Sequence, residues 1–173
     1  MSASGFWCGI TIGHPQRQNA EFEINNVTVY DHPSRVNFSV CFQWPDEDPT
    51  SLYPINVTMR NCIIANGGKA VYSGDVVTLS ADHNIFDRSS GDDVEIYANR
   101  RNYSAAQIGE LGTGNISADP KFVNPIWGTR SDFNLQALSP AVDAGSSSGV
   151  PSVDINWRAR PQGSAYDIGA FEK

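Results

Sequence analysis

Asn61-Cys62-Ile63-Ile64-Ala65-Asn66 has a counterpart upstream, Asn26-Val27-Thr28-Val29-Tyr30-Asp31, and another downstream, His83-Asn84-Ile85-Phe86-Asp87-Arg88. Each is a short alternating run that opens from a polar residue, the pattern of a β-strand leaving a turn. A second alternating run precedes each copy, with Phe22 and Ile24, Val57 and Met59, and Val77 and Leu79 at its apolar positions. A third follows each copy, using Phe38, Val40 and Phe42, then Ala70 and Tyr72, then Val94 and Ile96. The repeating unit is three short strands separated by turns. It spans 35 residues from Asn26 to Asn61 and 22 from Asn61 to His83. The difference is an insertion over residues 43–54, where Pro45, Pro49 and Pro54 surround Asp46, Glu47 and Asp48. That composition belongs to an exposed loop.

Three strands in a unit of roughly 20 residues are what a parallel β-solenoid needs, because each coil buries its inward side chains only against its neighbours. A β-sandwich explains the alternation but not the threefold recurrence. The inward list is apolar except for Asn84, which takes the slot of Val27 and Cys62 and needs hydrogen-bond partners there. Phe6 to Ile12 occupies the place of a third strand without the two that should precede it, so the chain is expected to start inside a coil. Asn102 to Leu111 reads as one or two helical turns from an Asn102 or Ser104 cap. Ile116 to Val123 returns to extended structure. The division expected is coils over 1–123 and a loop-rich cap over 124–173, laid across the end of the core.

Composition agrees. Gly and Pro account for 25 of 173 residues, Asn for 14 and Lys for only 3, which disfavours a helical bundle. A net charge of −7 argues against a general electrostatic grip on nucleic acid or an anionic membrane. A polyanionic substrate would need a local basic patch or a bound cation. Cys8, Cys41 and Cys62 cannot all pair with one another and lack metal-ligand spacing. No signal peptide or membrane span is legible in the chain.

Five motifs carry a family resemblance. They are Ser117-Ala118-Asp119-Pro120-Lys121-Phe122-Val123, Phe133-Asn134-Leu135, Ser139-Pro140-Ala141-Val142-Asp143-Ala144-Gly145, Asp154 with Arg160-Pro161, and Asp167-Ile168-Gly169-Ala170-Phe171-Glu172. In this order they resemble the carboxy-terminal region of bacterial right-handed parallel β-helix proteins, the pectate-lyase-like group described as carrying a choice-of-anchor Q domain. The resemblance implies an all-β, right-handed parallel β-helix with three strands per coil and an irregular C-terminal cap. It implies an extracellular or cell-surface setting and polysaccharide as partner, some relatives cleaving acidic polysaccharides by β-elimination or hydrolysis. Family members are usually longer on the amino-terminal side, which makes the open amino-terminal end of the solenoid a surface for further coils or a second copy.

Equivalent turn positions in successive coils stack about 4.8 Å apart. Arg60 and Asn61 should therefore lie beneath Asp82 and His83, with Asn25 and Asn26 one coil further on. Arg60, Asp82 and His83 together could form an acid/base centre with an anion-binding partner, or a solvated turn column. Arg88, Arg100 and Arg101 could meet carboxylated sugars while Asp87, Asp92, Asp93 and Glu95 hold a cation, or the segment could be an exposed charged loop that pairs with itself. Trp44 in the insertion, with Trp7, Trp127 and Tyr97, offers flat faces for sugar rings. Asp143, Asp154 and Asp167 could hold the cap together through Arg158, Arg160 and turn amides, or bind Ca2+, the one cofactor these residues admit. Sequons stand at Asn26, Asn37, Asn56, Asn102 and Asn115, where Asn with Ser or Thr is also ordinary turn chemistry.

Overall fold

The computed structural model describes residues 8–12, 19–30, 38–42, 53–66, 69–87, 95–126 and 130–173. Strand β1 (Cys8–Ile12) is followed by three triplets. The first is β2 (Ala20–Asn25), β3 (Thr28–Tyr30) and β4 (Phe38–Phe42). The second is β5 (Ile55–Arg60), β6 (Ile63–Ala65) and β7 (Lys69–Ser73). The third is β8 (Val77–Asp82), β9 (Ile85–Asp87) and β10 (Ile96–Ala98). Then come β11 (Arg101–Tyr103), a 3-10 helix (Ala105–Glu110), β12 (Ile116–Ser117), β13 (Phe122–Asn124) and β14 (Asp132–Leu135).

Each strand of a triplet pairs in parallel with its equivalent in the next. The sheets run β2-β5-β8, β3-β6-β9-β12 and β1-β4-β7-β10, the last extended by antiparallel β11. The chain is thus all-β with parallel sheets, and β1 does stand in the third-strand sheet, on β4. The registers put like on like: Phe22, Val57 and Leu79 align, as do Ile24, Met59 and Ala81, and Val29, Ile64 and Phe86. These columns meet Val40, Phe42, Val71 and Ile96 of the third sheet in one apolar cluster, so the three sheets share a core. That sharing is the reason for the repeat, since the inward Ile64 of a three-residue strand such as β6 is buried by its equivalents and the two facing sheets.

Several expectations shift at the level of single residues. Val71, expected on the outside, is buried opposite Val40 and Ile96, while Tyr72, expected inside, stacks on Tyr97 with ring centroids 5.3 Å apart. Buried Ser39 and Ala70 precede buried Val40 and Val71, and two successive inward residues break strict alternation. Residues 43–52 of the insertion lie outside the described residues; Tyr53 and Pro54, its last two positions, are exposed.

The carboxy-terminal segment is also placed differently. The end of the core beyond β10 is covered by Tyr103 of β11, Ile108 of the 3-10 helix and Leu111. The helix starts at Ser104, whose amide donates to Gln107 Oε1 at 3.2 Å, and Asn102 is part of β11. Residues beyond 117 pack instead along the outer face of the second sheet, where Phe122, Leu135, Ala141 and Ile168 bury Ile63 and Ile85. Gly169 makes that approach feasible. It has φ +102°, and a Cβ there would stand 2.7 Å from Ile63 Cδ1. Its amide donates to Asn61 O at 2.7 Å, and that of Ala170 to Thr28 Oγ1 at 3.0 Å.

Candidate functional site

The turn between the first and second sheets uses the left-handed region in every triplet. Asn26, Asn61 and His83 have φ of 54°, 52° and 54°, and Gly114 continues the column at 70°. Asn and His tolerate this conformation better than most side-chain-bearing residues, because a short polar side chain can bond locally. The backbone repeats with them: Asn26 N donates to Arg60 O, Asn61 N to Asp82 O and His83 N to Thr113 O.

Just before this column Asn25, Arg60 and Asp82 stand side by side in register, as the repeat alignment predicts. Arg60 Nε lies 3.1 Å from Asp82 Oδ1, and His83 Nδ1 lies 3.3 Å from Asp82 Oδ2. Arg60 Nη1 is 3.8 Å from Glu23 Oε1. Arg60, Asp82 and His83 are therefore brought together, each about a quarter exposed at 23%, 22% and 30% of the side chain. With the Nδ1–H directed at the Asp82 carboxylate, Nε2 is the nitrogen left to act as a base. The imidazole lies against Gly114, where an added Cβ would come within 2.6 Å of Cδ2. Chemically the group offers a base and a cation, but the cation already faces two carboxylates.

Asn84 finds its partners inside. Its Oδ1 accepts from Cys62 N at 2.9 Å, and its Nδ2 donates to Met59 O and Asp82 O, both at 3.0 Å. Asn115 fills the next slot, its Nδ2 donating to Ala81 O at 2.6 Å and to two carbonyls of its own turn, Ile108 O and Gly112 O. Asn26 and Asn115 thus spend their amide nitrogens within the protein, while Asn56 and Asn102 are exposed. Asn37 lies outside the described residues.

The other expected substrate-binding residues do not converge. Glu95 lies 3.5 Å from Lys69, and Arg101 lies 2.8 Å from Glu110 with its guanidinium 4.5 Å from the Tyr103 ring. Arg100 Nε donates to Asp75 O at 3.1 Å beside a shallow cavity of about 430 Å³ that includes Thr78 and Asn99. Trp7, Trp44, Arg88, Asp92, Asp93 and Trp127 lie outside the described residues.

Asp143, Asp154 and Asp167 are committed to backbone amides. Asp143 Oδ1 accepts from Ala165 at 2.7 Å, and Asp167 from Asp143 and Lys173, each at 2.7 Å. Asp154 accepts from Asn156, Arg158 and Glu172. Burial works to raise the Asp154 pKa, but these amides and the Arg160 charge outweigh it and hold the carboxyl below its ordinary value. Burial raises that of Asp167 despite its two amides. Arg160 bonds none of these carboxylates; it pairs with Glu172, a residue the sequence reading did not single out. Among the described residues no group of three or more His, Cys, Asp or Glu could hold a metal ion, so the Ca2+ alternative has no such cluster here.

Two adjoining cavities lie where β3 meets the carboxy-terminal segment. One, about 380 Å³, is lined by Asn26, Val27, Val153, Ile155 and Arg160 among others. The second, about 550 Å³, shares Thr28, Ile155 and Ala170 with it and adds Tyr30, Phe133 and Phe171. No described helix is long and apolar enough to cross a membrane. No protein-family model, curated protein or solved structure matches the chain.

Proposed function

We propose that the chain is a carbohydrate-associated module of a right-handed parallel β-helix protein, secreted or displayed at the cell surface, that binds polysaccharide without cleaving it. The observation that carries this is the in-register stacking of three strand triplets around one core with a left-handed residue at the same turn of each. Such a ladder provides a long, rigid side on which a linear polymer can lie. The noncatalytic part rests on the local pairing of Lys69, Glu95, Arg101 and Glu110, which leaves these charges matched by neighbours. Affinity electrophoresis in gels containing pectate, alginate or chondroitin tests binding, and ultraviolet absorbance of the same mixtures tests cleavage. Retardation by at least one polymer with no new unsaturated ends is expected. Unsaturated ends, or no retardation by any polymer, would overturn the proposal.

One observation favours a lyase instead: Asp82 orients His83 with Arg60 alongside. In that reaction His83 Nε2 would take the proton from the carbon bearing the sugar carboxylate, and Arg60 would balance the carboxylate charge. The electron pair would form the new C=C bond as the β C–O bond breaks, the leaving oxygen taking a proton from water. Loss of a detected cleavage in both Arg60→Ala and His83→Ala supports this assignment, and cleavage unchanged in either removes it.

A further inference from the structure

We propose that the amino-terminal edge of the first sheet is an interaction surface that takes, as an added strand, an extended segment of a different protein alternating apolar and basic residues. Strand β2 is that edge, since among the described residues nothing pairs with it on the side away from β5. Ala20 N donates to Pro54 O and Asn26 N to Arg60 O, so Ala20, Phe22 and Ile24 direct their backbone groups at β5. Backbone groups alternate in direction along a strand, which leaves the N–H and C=O of Glu21 and Glu23 on the outer side. The opposite edge of the same sheet, β8, is closed. Leu79 N donates to Asn99 Oδ1 at 2.8 Å, and Leu79 O accepts from Asn99 Nδ2 at 2.9 Å. Ala81 N donates to Leu111 O at 3.1 Å, and Ala81 O accepts from Asn115 Nδ2 at 2.6 Å. The core shows the same asymmetry. Phe22 and Ile24 are only partly buried, whereas Val57 and Met59, their neighbours in register, are 1% and 0% exposed. Unpaired backbone beside incompletely covered apolar side chains is the template for strand addition.

The outward side chains determine what the added strand carries. Strand β2 presents Glu21 and Glu23, both exposed, where β5 has Asn56 and Thr58 and β8 has Thr78 and Ser80. Arg60 Nη1 comes no nearer than 3.8 Å to Glu23, and its Nε already faces Asp82. Lys or Arg on a strand laid against β2 meets these carboxylates across the pair, while the alternate apolar residues cover Phe22 and Ile24. A second copy of this chain fits in neither direction. Head to head, the antiparallel registers centred on Phe22 or on Glu23 keep apolar side chains on the core face. They also set Glu21 opposite Glu23, or Glu23 opposite itself, and like charges directly opposed disfavour pairing. Head to tail, the second copy would have to offer its β8 edge, whose Leu79 and Ala81 groups are already bonded within the chain.

The test adds two end-capped peptides of about ten residues to the full chain, one alternating Val and Lys and the other alternating Val and Glu. Binding is followed through the backbone amide resonances of Glu21 and Glu23 and through their hydrogen exchange. The Val–Lys peptide should shift both amides saturably and slow their exchange at least about tenfold, and the Val–Glu peptide should do neither. Glu23→Pro removes an outward N–H and spares the ladder to β5, which Glu23 N does not join. That variant should fold and bind the Val–Lys peptide at least about tenfold more weakly. Glu21→Lys combined with Glu23→Lys should transfer the preference to the Val–Glu peptide. The proposal is overturned if the Val–Lys peptide gives no saturable shifts, if both peptides bind the parent alike, or if folded Glu23→Pro binds as the parent does. It is overturned equally if the chain alone sediments as a dimer that Glu23→Pro dissociates, because the occupant is then a second copy.

Discussion

Arg160 Nη1 donates to Glu172 Oε1 at 2.7 Å, and the two side chains are withdrawn from water, at 1% and 0% exposure. Glu172 Oε1 also accepts from Asp167 N, and Oε2 from Gln162 N, both at 3.1 Å, so the pair ties three parts of the carboxy-terminal segment together. Removing one partner strands the other charge in a dry site. Arg160→Met or Glu172→Leu should each cost about 3–5 kcal/mol. The double variant Arg160→Met with Glu172→Leu should cost less than the two single losses combined. Urea midpoints of the four proteins check this, and full additivity would show that the pair is not coupled.

The buried Asn84 amide serves three backbone groups, Cys62 N, Met59 O and Asp82 O. Asn84→Leu keeps the bulk and strands all three, and should cost at least about 2 kcal/mol. Cys62→Val, in the equivalent slot one triplet away, leaves comparable shape and should cost under about 1.5 kcal/mol. Equal losses in chemical denaturation would mean that filling volume, and not satisfying the backbone, is what Asn84 does.

These two cases mark where the sequence was legible. The triplets, the register of Arg60 on Asp82 and the polar slot at Asn84 all follow from the repeat, because a ladder of identical units fixes which residue stands over which. What no repeat could fix is the course of the carboxy-terminal segment, whose contacts are long-range and irregular. A signal was nevertheless present. Ile63 and Ile85 occupy outward positions of the second sheet, and two isoleucines in line on an outer face require a cover, which Phe122 and Ile168 provide. The third strand was misjudged at Val71 and Tyr72 because strict alternation was carried through two successive inward residues. At the candidate site, Arg60, Asp82 and His83 were found through register, whereas the Glu172 partner of Arg160 depends on a fold-back of the chain that local pattern does not encode.

Asp87 predicts a pH dependence. Burial, with the nearby Asp119 charge adding to it, raises its pKa above the ordinary 3.8. The folded chain therefore holds this proton to higher pH than the unfolded chain does, and stability falls as pH rises from about 3.8 through the folded value. Asp87→Asn has no charge to develop there. It should match the parent in acid, become the more stable protein through that window, and keep a constant advantage at neutral pH. Thermal midpoints at a series of pH values check the sign. A variant less stable than the parent at neutral pH would refute it.

Cys62 should be inert in the folded protein. Burial pushes its thiol up to about 12, outweighing the backbone groups of Val27, Arg60 and Asn26 that work to lower it. Since the thiolate is the reactive species, iodoacetamide at neutral pH should modify Cys62 only through unfolding. Peptide mapping by mass spectrometry should show its labelling rate rising with urea along the unfolding transition. Modification of Cys62 in native buffer as fast as in denaturant would contradict the buried position.

His83 carries two roles that substitution can separate. Its backbone occupies the left-handed turn at φ 54°, in line with Asn26, Asn61 and Gly114, and its ring faces Asp82. A β-branched residue meets a steric cost in that conformation which Asn and Gly largely avoid. His83→Val should therefore lose about 1–2 kcal/mol, while His83→Asn should remain within about 0.5 kcal/mol of the parent. If the imidazole serves only the turn, polysaccharide retardation survives in His83→Asn as it does in the parent. A stable His83→Asn protein that loses retardation places the ring at the bound polymer, because the turn is intact and only the Nδ1 contact to Asp82 and the free Nε2 have gone. Thermal melting and affinity electrophoresis on the same preparations make that distinction, since the first follows the backbone and the second the ring.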